Sequence, residues 1–462
     1  MDVSFSILAT WFHINKDDFP KPGFGMTLDV KKPHDVVDAR DPGARPTLIS
    51  GAIEGHVLVK NTKNTLPLKS PRLLSLFGYS AKAPDAYNVM ENPTGDFLWQ
   101  SGAEASNPAL ASTNFNLGFD VDQSVIAGNG TLISGGGSGG TAPSVYLSPA
   151  EAIKMRAASN YTAIYHDFRT PDPFVDAATD ACIVFGNAWA SEGYDRPAVR
   201  DDYTDGLIKH VADRCNKTIV VLHNAGIRLV DQFINHENVT AVIFGHLPGQ
   251  ETGAAIVSIL YGDVSPSGKL PYTVAKNESD YGDLLNPAQP EGIFENFPQS
   301  DFEEGVYIDY RRFDKEDIEP RFEFGFGLSY TTFALTNLQI QKNTTTGFDE
   351  YPVGAIQPGG QVDLWDVIVT VSADLSNTGD VDAAEVVQLY VGIPDGPAKQ
   401  LRGFEKPFLK AGENVTVELG LTRRDLSIWD TVAQKWQLQQ GEYGIFVGNS
   451  SKELPLKGKL VI

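Results

Sequence analysis

Positive charge is scarce in this chain: 37 Lys and Arg stand against 59 Asp and Glu among 462 residues, a formal net charge of −22. The pI is near 4.7. Nucleic acid is excluded as a partner, because its binding rests on Lys and Arg neutralising phosphates. An anionic membrane surface is excluded on the same ground. No apolar run reaches the length of about 20 residues that a spanning helix needs. The opening MDVSFSILATWFHINKDD has no basic n-region and no clean cleavage site, so it does not read as a signal peptide. No G-x-x-x-x-G-K-[ST] occurs, and no two histidines stand in an H-x-x-x-H pair. No metal site or cofactor is therefore expected. His223 and His246 each end an apolar run, and such residues read as satisfied core or loop histidines. The glycines Gly135, Gly137 and Gly140 fit G-x-G-x-x-G. That fingerprint needs a helix directly after it, and here two prolines follow, so the run reads as a loop and not as a nucleotide site.

What is present is ordinary for globular protein, 42% hydrophobic and 21% charged. The length implies two or three domains. Residues 1–69 hold one helical stretch, FSILATWFHI, then a polar connector closed by EGHVLVKNTKNTLPL. One short helix buries too little surface to be a domain. Residues 70–275 alternate short apolar runs (RLLSLFGY, DACIVFGNAW, KTIVVLHNAG, VTAVIFGHL) with amphipathic segments such as DDYTDGLIKHVADRC, IRLVDQFINH and GQETGAAIVSILYG. That pattern predicts a mostly parallel sheet with helices on its faces. Residues 276–330 read as a connector. Residues 331–462 change to period two, in TNLQIQ, DVIVTVSADLSN, EVVQLYVG, ENVTVELGL and GEYGIFVG. About seven short strands divided by turns predict an immunoglobulin-like or fibronectin-like sandwich.

One acid stands out. Glu192 follows the run CIVFGNAWAS and precedes Gly193, which allows a tight bend. Ligands of open α/β sheets bind beyond the carboxyl ends of the strands, where Glu192 falls. Asp195 and Arg196 are placed to pair and brace that loop. Spacing alone favours a solvated loop acid, the fate of most glutamates.

Cysteine is also scarce. Cys182 and Cys215 each stand just before an apolar run. If those runs are neighbouring parallel strands, both thiols share one sheet edge and a disulfide fits; two buried free thiols is the other reading. N-x-Ser/Thr triplets occur at Asn129, Asn160, Asn216, Asn238, Asn277, Asn343, Asn414 and Asn449. Eight such triplets with a candidate disulfide point toward secretion.

Several stretches together resemble glycoside hydrolase family 3, in particular its fungal β-glucosidases. They are EGHVLVKNTKNTLPL, NAWASEGYDRP, LPGQETGAAIVSILYGDVSPSGKLPYTVAKNESDYG, FEEGVYIDYRRFDKEDIEPRFEFGFGLSYTTF and LRGFEKPFLKAGENVTVELGLTRRDLSIWD. The resemblance spans nearly the whole chain. It implies an α/β sandwich domain followed by a fibronectin type III-like β-sandwich, and an extracellular enzyme. The implied reaction removes terminal non-reducing β-D-glucosyl residues with retention, in cellulose or β-glucan breakdown. The implied substrate is a β-glucoside or cello-oligosaccharide. Glu192, in SEGYDR, takes the position of the family's catalytic acid/base.

A retaining mechanism needs a second carboxyl group about 5–5.5 Å away as nucleophile. In the family it is an aspartate of an N-terminal barrel, in a Ser-Asp-Trp setting. This sequence has no Ser-Asp-Trp, and residues 1–69 cannot supply a barrel of at least about 200 residues. The chain thus resembles the C-terminal portion of a β-glucosidase, with FSILATWFHI as the end of the barrel and the nucleophile absent. It is expected to be inactive alone. A non-catalytic carbohydrate-associated protein is the alternative class.

Overall fold

Four short, nearly continuous apolar runs decide the first domain. Neighbouring residues of each strand face opposite ways, so a strand apolar at every position needs cover on both faces. The computed structural model describes residues 8–10, 12–13, 41–84, 125–128, 130–135, 146–190, 196–282, 290–343 and 347–462. Its six-stranded sheet holds β1 (Val57–Asn61), β2 (Leu73–Phe77), β3 (Ala163–Asp167), β4 (Ala181–Ala188), β5 (Thr218–Asn224) and β6 (Val239–Phe244). The order is β1-β6-β5-β4-β2-β3. β1 runs antiparallel to β6, and every other pairing is parallel.

Helices cover both faces. Leu76, Ile183, Phe185, Val221 and Ile243 pack with Ile53, Ile153 and Ile256, which belong to α1 (Arg45–Glu54), α2 (Pro149–Ser159) and α4 (Thr252–Tyr261). Phe77, Val184, Leu222 and Phe244 face the other way, onto Leu207, Ile208 and Val211 of α3 (Asp202–Ala212). Local chemistry sets the helix ends. Ser148 and Glu151 form a reciprocal capping box on α2. Asp201 accepts from the Tyr203 and Thr204 N–H groups at the start of α3.

Three expectations change. The boundary placed at residue 70 moves toward the N-terminus, because EGHVLVKN supplies edge strand β1 and α1 packs on the same face. The segment 227–236 is not helical. Leu229 donates its N–H to Val199 O, and Arg228 is buried, so this backbone is committed to tertiary contacts. The connector 276–330 is part of the α/β body. It carries the short helix α5 (Tyr310–Lys315), sets Phe322 and Phe326 on one face, and places Leu328 and Tyr330 on the other. Of FSILATWFHI, residues 8–10 and 12–13 are helical; the remainder lies outside the described residues.

The second domain is a β-sandwich. Its long strands are β7 (Phe333–Lys342), β8 (Val367–Asn377), β9 (Val387–Gly392), β10 (Gln400–Glu405), β11 (Asn414–Thr422), β12 (Glu442–Gly448) and β13 (Leu456–Val461). One sheet runs β11-β8-β7 and the other β10-β9-β12-β13. Val369, Val371 and Leu375 of the first meet Leu389, Val391 and Ile445 of the second in one core. The α/β body joins this sandwich through a buried Lys269–Glu385 ion pair and a Gln388 Nε2–H bond to Gly325 O.

Candidate active site

Strand order reverses between β2 and β4: the chain runs from β2 to edge strand β3, then crosses back to β4 and onward to β5 and β6. A crevice opens at such a reversal beyond the carboxyl ends of the strands, the usual ligand position in open α/β sheets. Two turns form its walls. Gly78 ends β2 at φ +90, and a Cβ there would lie 2.2 Å from Phe185 O, so only glycine fits. Tyr79 and Ser80 follow, both buried.

Across the crevice β4 ends in Asn187 and Ala188, and Trp189 follows. Asn187 is fully buried in an otherwise apolar strand. Its Oδ1 accepts from Ala127 N at 2.9 Å, and its Nδ2 donates to Ala127 O at 2.8 Å and Gly130 O at 3.2 Å. The Tyr79 hydroxyl accepts from Asn187 N at 3.1 Å and bonds Thr204 Oγ1 at 2.9 Å. Asn187 therefore locks Ala127 and Gly130 over the end of β4. Trp189 N donates to Val125 O at 3.0 Å.

Glu192, Gly193, Tyr194 and Asp195 lie outside the described residues. The chain on either side of them is pinned. Ala225 N donates to Ala188 O at 2.9 Å, and Val199 accepts from Leu229 N at 2.8 Å and donates to Glu278 Oε1 at 2.9 Å. Arg228 is buried beneath, 2.5 Å from Asp205 Oδ1, and also reaches Asp201 O. Burial and the neighbouring Arg228 lower the pKa of Arg196. The expected Asp195–Arg196 brace falls outside the described residues.

The carboxylates of this edge that the structure describes are already engaged. Asp167 accepts from Arg169 N and Thr170 N, Asp201 caps α3, Asp205 faces Arg228, and Glu251 pairs with Arg45. Among the described residues none of these is free to attack an anomeric carbon. A cleft of about 310 Å³ lined by Lys69, Arg72, Asp180 and Lys217 opens at the opposite, amino-terminal edge, away from the crevice.

The other sequence-derived positions fall as follows. Cys182 and Cys215 form a disulfide with Cα atoms 6.3 Å apart, and their strands are parallel neighbours with Cys182 opposite Thr218. His223 and His246 are held by internal hydrogen bonds. Asn160, Asn216, Asn277, Asn343 and Asn414 are exposed, Asn238 and Asn449 are half-buried, and Asn129 lies outside the described residues. Gly137 and Gly140 also lie outside them. Sequence reading passed over Tyr79, Ser80, Asn187 and Arg228. The polar Asn187 within the apolar run CIVFGNAW was the available signal.

These features define a class: a doubly wound α/β domain with its crevice at the strand-order reversal, fused to a fibronectin-like sandwich. Residues 56–330 match the glycosyl hydrolase family 3 C-terminal domain, and residues 385–451 match the fibronectin type III-like domain. The chain belongs to glycosyl hydrolase family 3. It is 52% identical over 462 residues to a probable beta-glucosidase M of Aspergillus niger, covering 100% of this chain and 57% of that protein. The fold superposes on the beta-D-glucoside glucohydrolase of Trichoderma reesei with TM-score 0.79 at 33% identity, covering 98% of this chain and 59% of that one. Beta-glucosidase 3B of Thermotoga neapolitana, solved in complex with glucose, gives TM-score 0.65 at 25% identity, covering 89% of this chain and 53% of that one. The chain thus spans little more than half the length of the relatives it matches.

Proposed function

We propose that this chain is the acid/base-bearing portion of a retaining β-glucosidase, which hydrolyses terminal non-reducing β-D-glucosyl residues of β-glucosides and cello-oligosaccharides. The observation that carries this reading is the position of Glu192. In the sequence it stands three residues past Trp189, shortly after β4, whose carboxyl end borders the crevice. One carboxyl group there protonates the departing glycosidic oxygen and then takes a proton from water. The engagement of Asp167, Asp201, Asp205 and Glu251 leaves the nucleophile to be supplied by a portion that longer relatives carry.

The same engagement supports a second reading, a non-catalytic carbohydrate-associated protein. The disulfide and the five exposed sequons support passage through an oxidising secretory route, and hence a secreted glycoprotein acting in cellulose or β-glucan breakdown.

One experiment tests the role of Glu192. The 462-residue chain is assayed alone, and again joined to the N-terminal portion of a relative. The lone chain releases no glucose from an aryl β-glucoside. The joined protein turns over, and Glu192→Gln lowers kcat/KM for a poor leaving group by about 10²–10⁴-fold, the usual contribution of general acid–base catalysis. The loss is much smaller for an activated aryl leaving group, which needs little protonation. Equal losses on both substrates would remove Glu192 from the acid role.

A further inference from the structure

Three of the eight histidines meet where α1 passes into β1. His56 is fully buried, and its Nδ1–H donates to Ala52 O at 2.6 Å. Among the described residues its Nε2 has no hydrogen-bond partner. His223, fully buried at the end of β5, sets Nδ1 2.9 Å from Ser80 Oγ and Nε2 3.4 Å from Thr252 Oγ1. It lies nearly parallel to the Phe185 ring. Gly245 separates the two imidazoles: a Cβ there would stand 3.0 Å from His223 Cδ2 and 3.4 Å from His56 Nε2. His246 donates from Nδ1 to Gly55 O at 2.8 Å. The Tyr272 hydroxyl lies 2.8 Å from its Nε2 and itself accepts from Asn224 Nδ2 at 2.6 Å.

This arrangement holds neutral rings. His246 Nε2 accepts from Tyr272, so it carries no proton. Among the described residues His56 Nε2 finds no acceptor for a second proton. No described carboxylate hydrogen-bonds to any of the three. On α1, Glu54 is turned to Lys406. Ahead of α4, Glu251 is turned to Arg45. On the β5 side the neighbouring charge is Arg196, which acts on Tyr272 and has the sign of an imidazolium. Burial is the main cause that lowers His56 to about 4 and His223 to about 3, and it lowers His246 as well.

The unit these rings hold is peripheral. β1 forms a ladder only with β6 among the described strands, at the edge of the sheet, and its outer side takes one further backbone bond, from Leu328 N to Leu58 O at 2.8 Å. Edge elements open at lower free energy than the centre of a sheet. If α1 and β1 leave, His56 goes with them, His223 loses its cover on that side, and His246 loses its Gly55 acceptor.

We propose that His56, His223 and His246 form an acid-released latch: neutral, they hold the α1–β1 unit (residues 45–61) on the sheet, and protonation frees that unit while the parallel strands stay folded. The direction follows from linkage. An exposed imidazole takes a proton below about pH 6.5, while a closed ring stays neutral well below that, so opening takes up protons and acid favours the open state. Each ring exposed by opening raises the opening constant about tenfold per pH unit in that window, and His56 with His223 raises it about a hundredfold.

Amide hydrogen exchange on the full 462-residue chain at pH 7, 6 and 5, corrected for intrinsic rates, tests the latch. The expected result is an opening constant for Val57–Lys60 that rises at least tenfold per pH unit below about pH 6.5, while Val220–Leu222 of β5 stay protected. His56→Asn keeps a donor for Ala52 O, and His223→Phe keeps the packing on Phe185. Each is expected to remove about tenfold per pH unit from the slope. If one variant does not fold, the slope of the other decides. Protection of β1 that does not change with pH overturns the proposal. So does a slope unaltered by either substitution, and so does simultaneous loss of protection in β1 and β5, which is global unfolding.

Discussion

Asn187 shows how one side chain fixes the site edge. It sits among seven other buried residues of β4 and satisfies both Ala127 N and Ala127 O, with Gly130 O as a third partner. Removing it leaves those backbone groups buried without partners, each worth about 1–3 kcal/mol. Asn187→Leu, close in volume, is expected to lower unfolding free energy by at least about 1–3 kcal/mol in urea titration. A loss below about 0.5 kcal/mol, the range of an ordinary surface change, contradicts the clamp. Glu192 drew notice in the sequence because an acid after a largely apolar run is conspicuous, but it lies outside the described residues. Asn187 was passed over because the run around it reads as core. Arg228 was passed over because I-R-L-V-D-Q-F reads as an amphipathic helix, which puts an arginine in solvent. In the structure that stretch is not helical, and the arginine is spent on Asp205.

At the scale of elements, β4, α3 and the turn into β5 form one closed unit. The Cys182–Cys215 disulfide ties its ends across a sequence separation of 33. In the chain-entropy model, closing a loop of that length removes freedom from the unfolded chain worth about 3–4 kcal/mol. Cys182→Ala is therefore expected to lower the urea midpoint, and reductant is expected to shift the wild type but not the variant. Wild-type unfolding unaffected by reductant would mean that the bridge contributes nothing. The parallel strands β2, β4, β5 and β6 were readable as continuous apolar runs, since burial on both faces demands them. So were β7, β8, β9, β11 and β12, which alternate. β1 and β3 were not singled out. They are the two edges of the sheet, and β3 is exposed or half-buried along its whole length. Its residues AIYHD carry no clear period. The crevice was legible only in outline, because strand order is set by crossovers and not by any local pattern.

For the whole molecule, the decisive contact is the seam between the α/β body and the sandwich. Asp314 of α5 lies 2.5 Å from Lys399 Nζ and 3.4 Å from Lys452 Nζ, and Tyr310 OH accepts from Leu401 N at 2.9 Å. The most buried ion pair across the seam is Lys269 Nζ to Glu385 Oε1 at 2.7 Å, with side-chain exposures of 11% and 5%. Burial raises the pKa of Glu385, and Lys269 opposes that rise. Such a pair is weak evidence of net stabilisation, yet breaking it strands a charge. Lys269→Met is expected to cost about 3–5 kcal/mol, and Lys269→Met with Glu385→Leu to recover most of that loss. The pH dependence has a defined sign. In the single variant the folded-state pKa of Glu385 rises further above its unfolded value, so the folded protein holds a proton that the unfolded chain has lost. Stability is then greatest below the unfolded carboxylate range and falls as pH rises toward the folded pKa. The deficit of Lys269→Met is expected to be larger at pH 8 than at pH 5, read by urea titration at both. A deficit equal at the two pH values, or a double variant no more stable than the single, would show that the ion pair does not hold the seam.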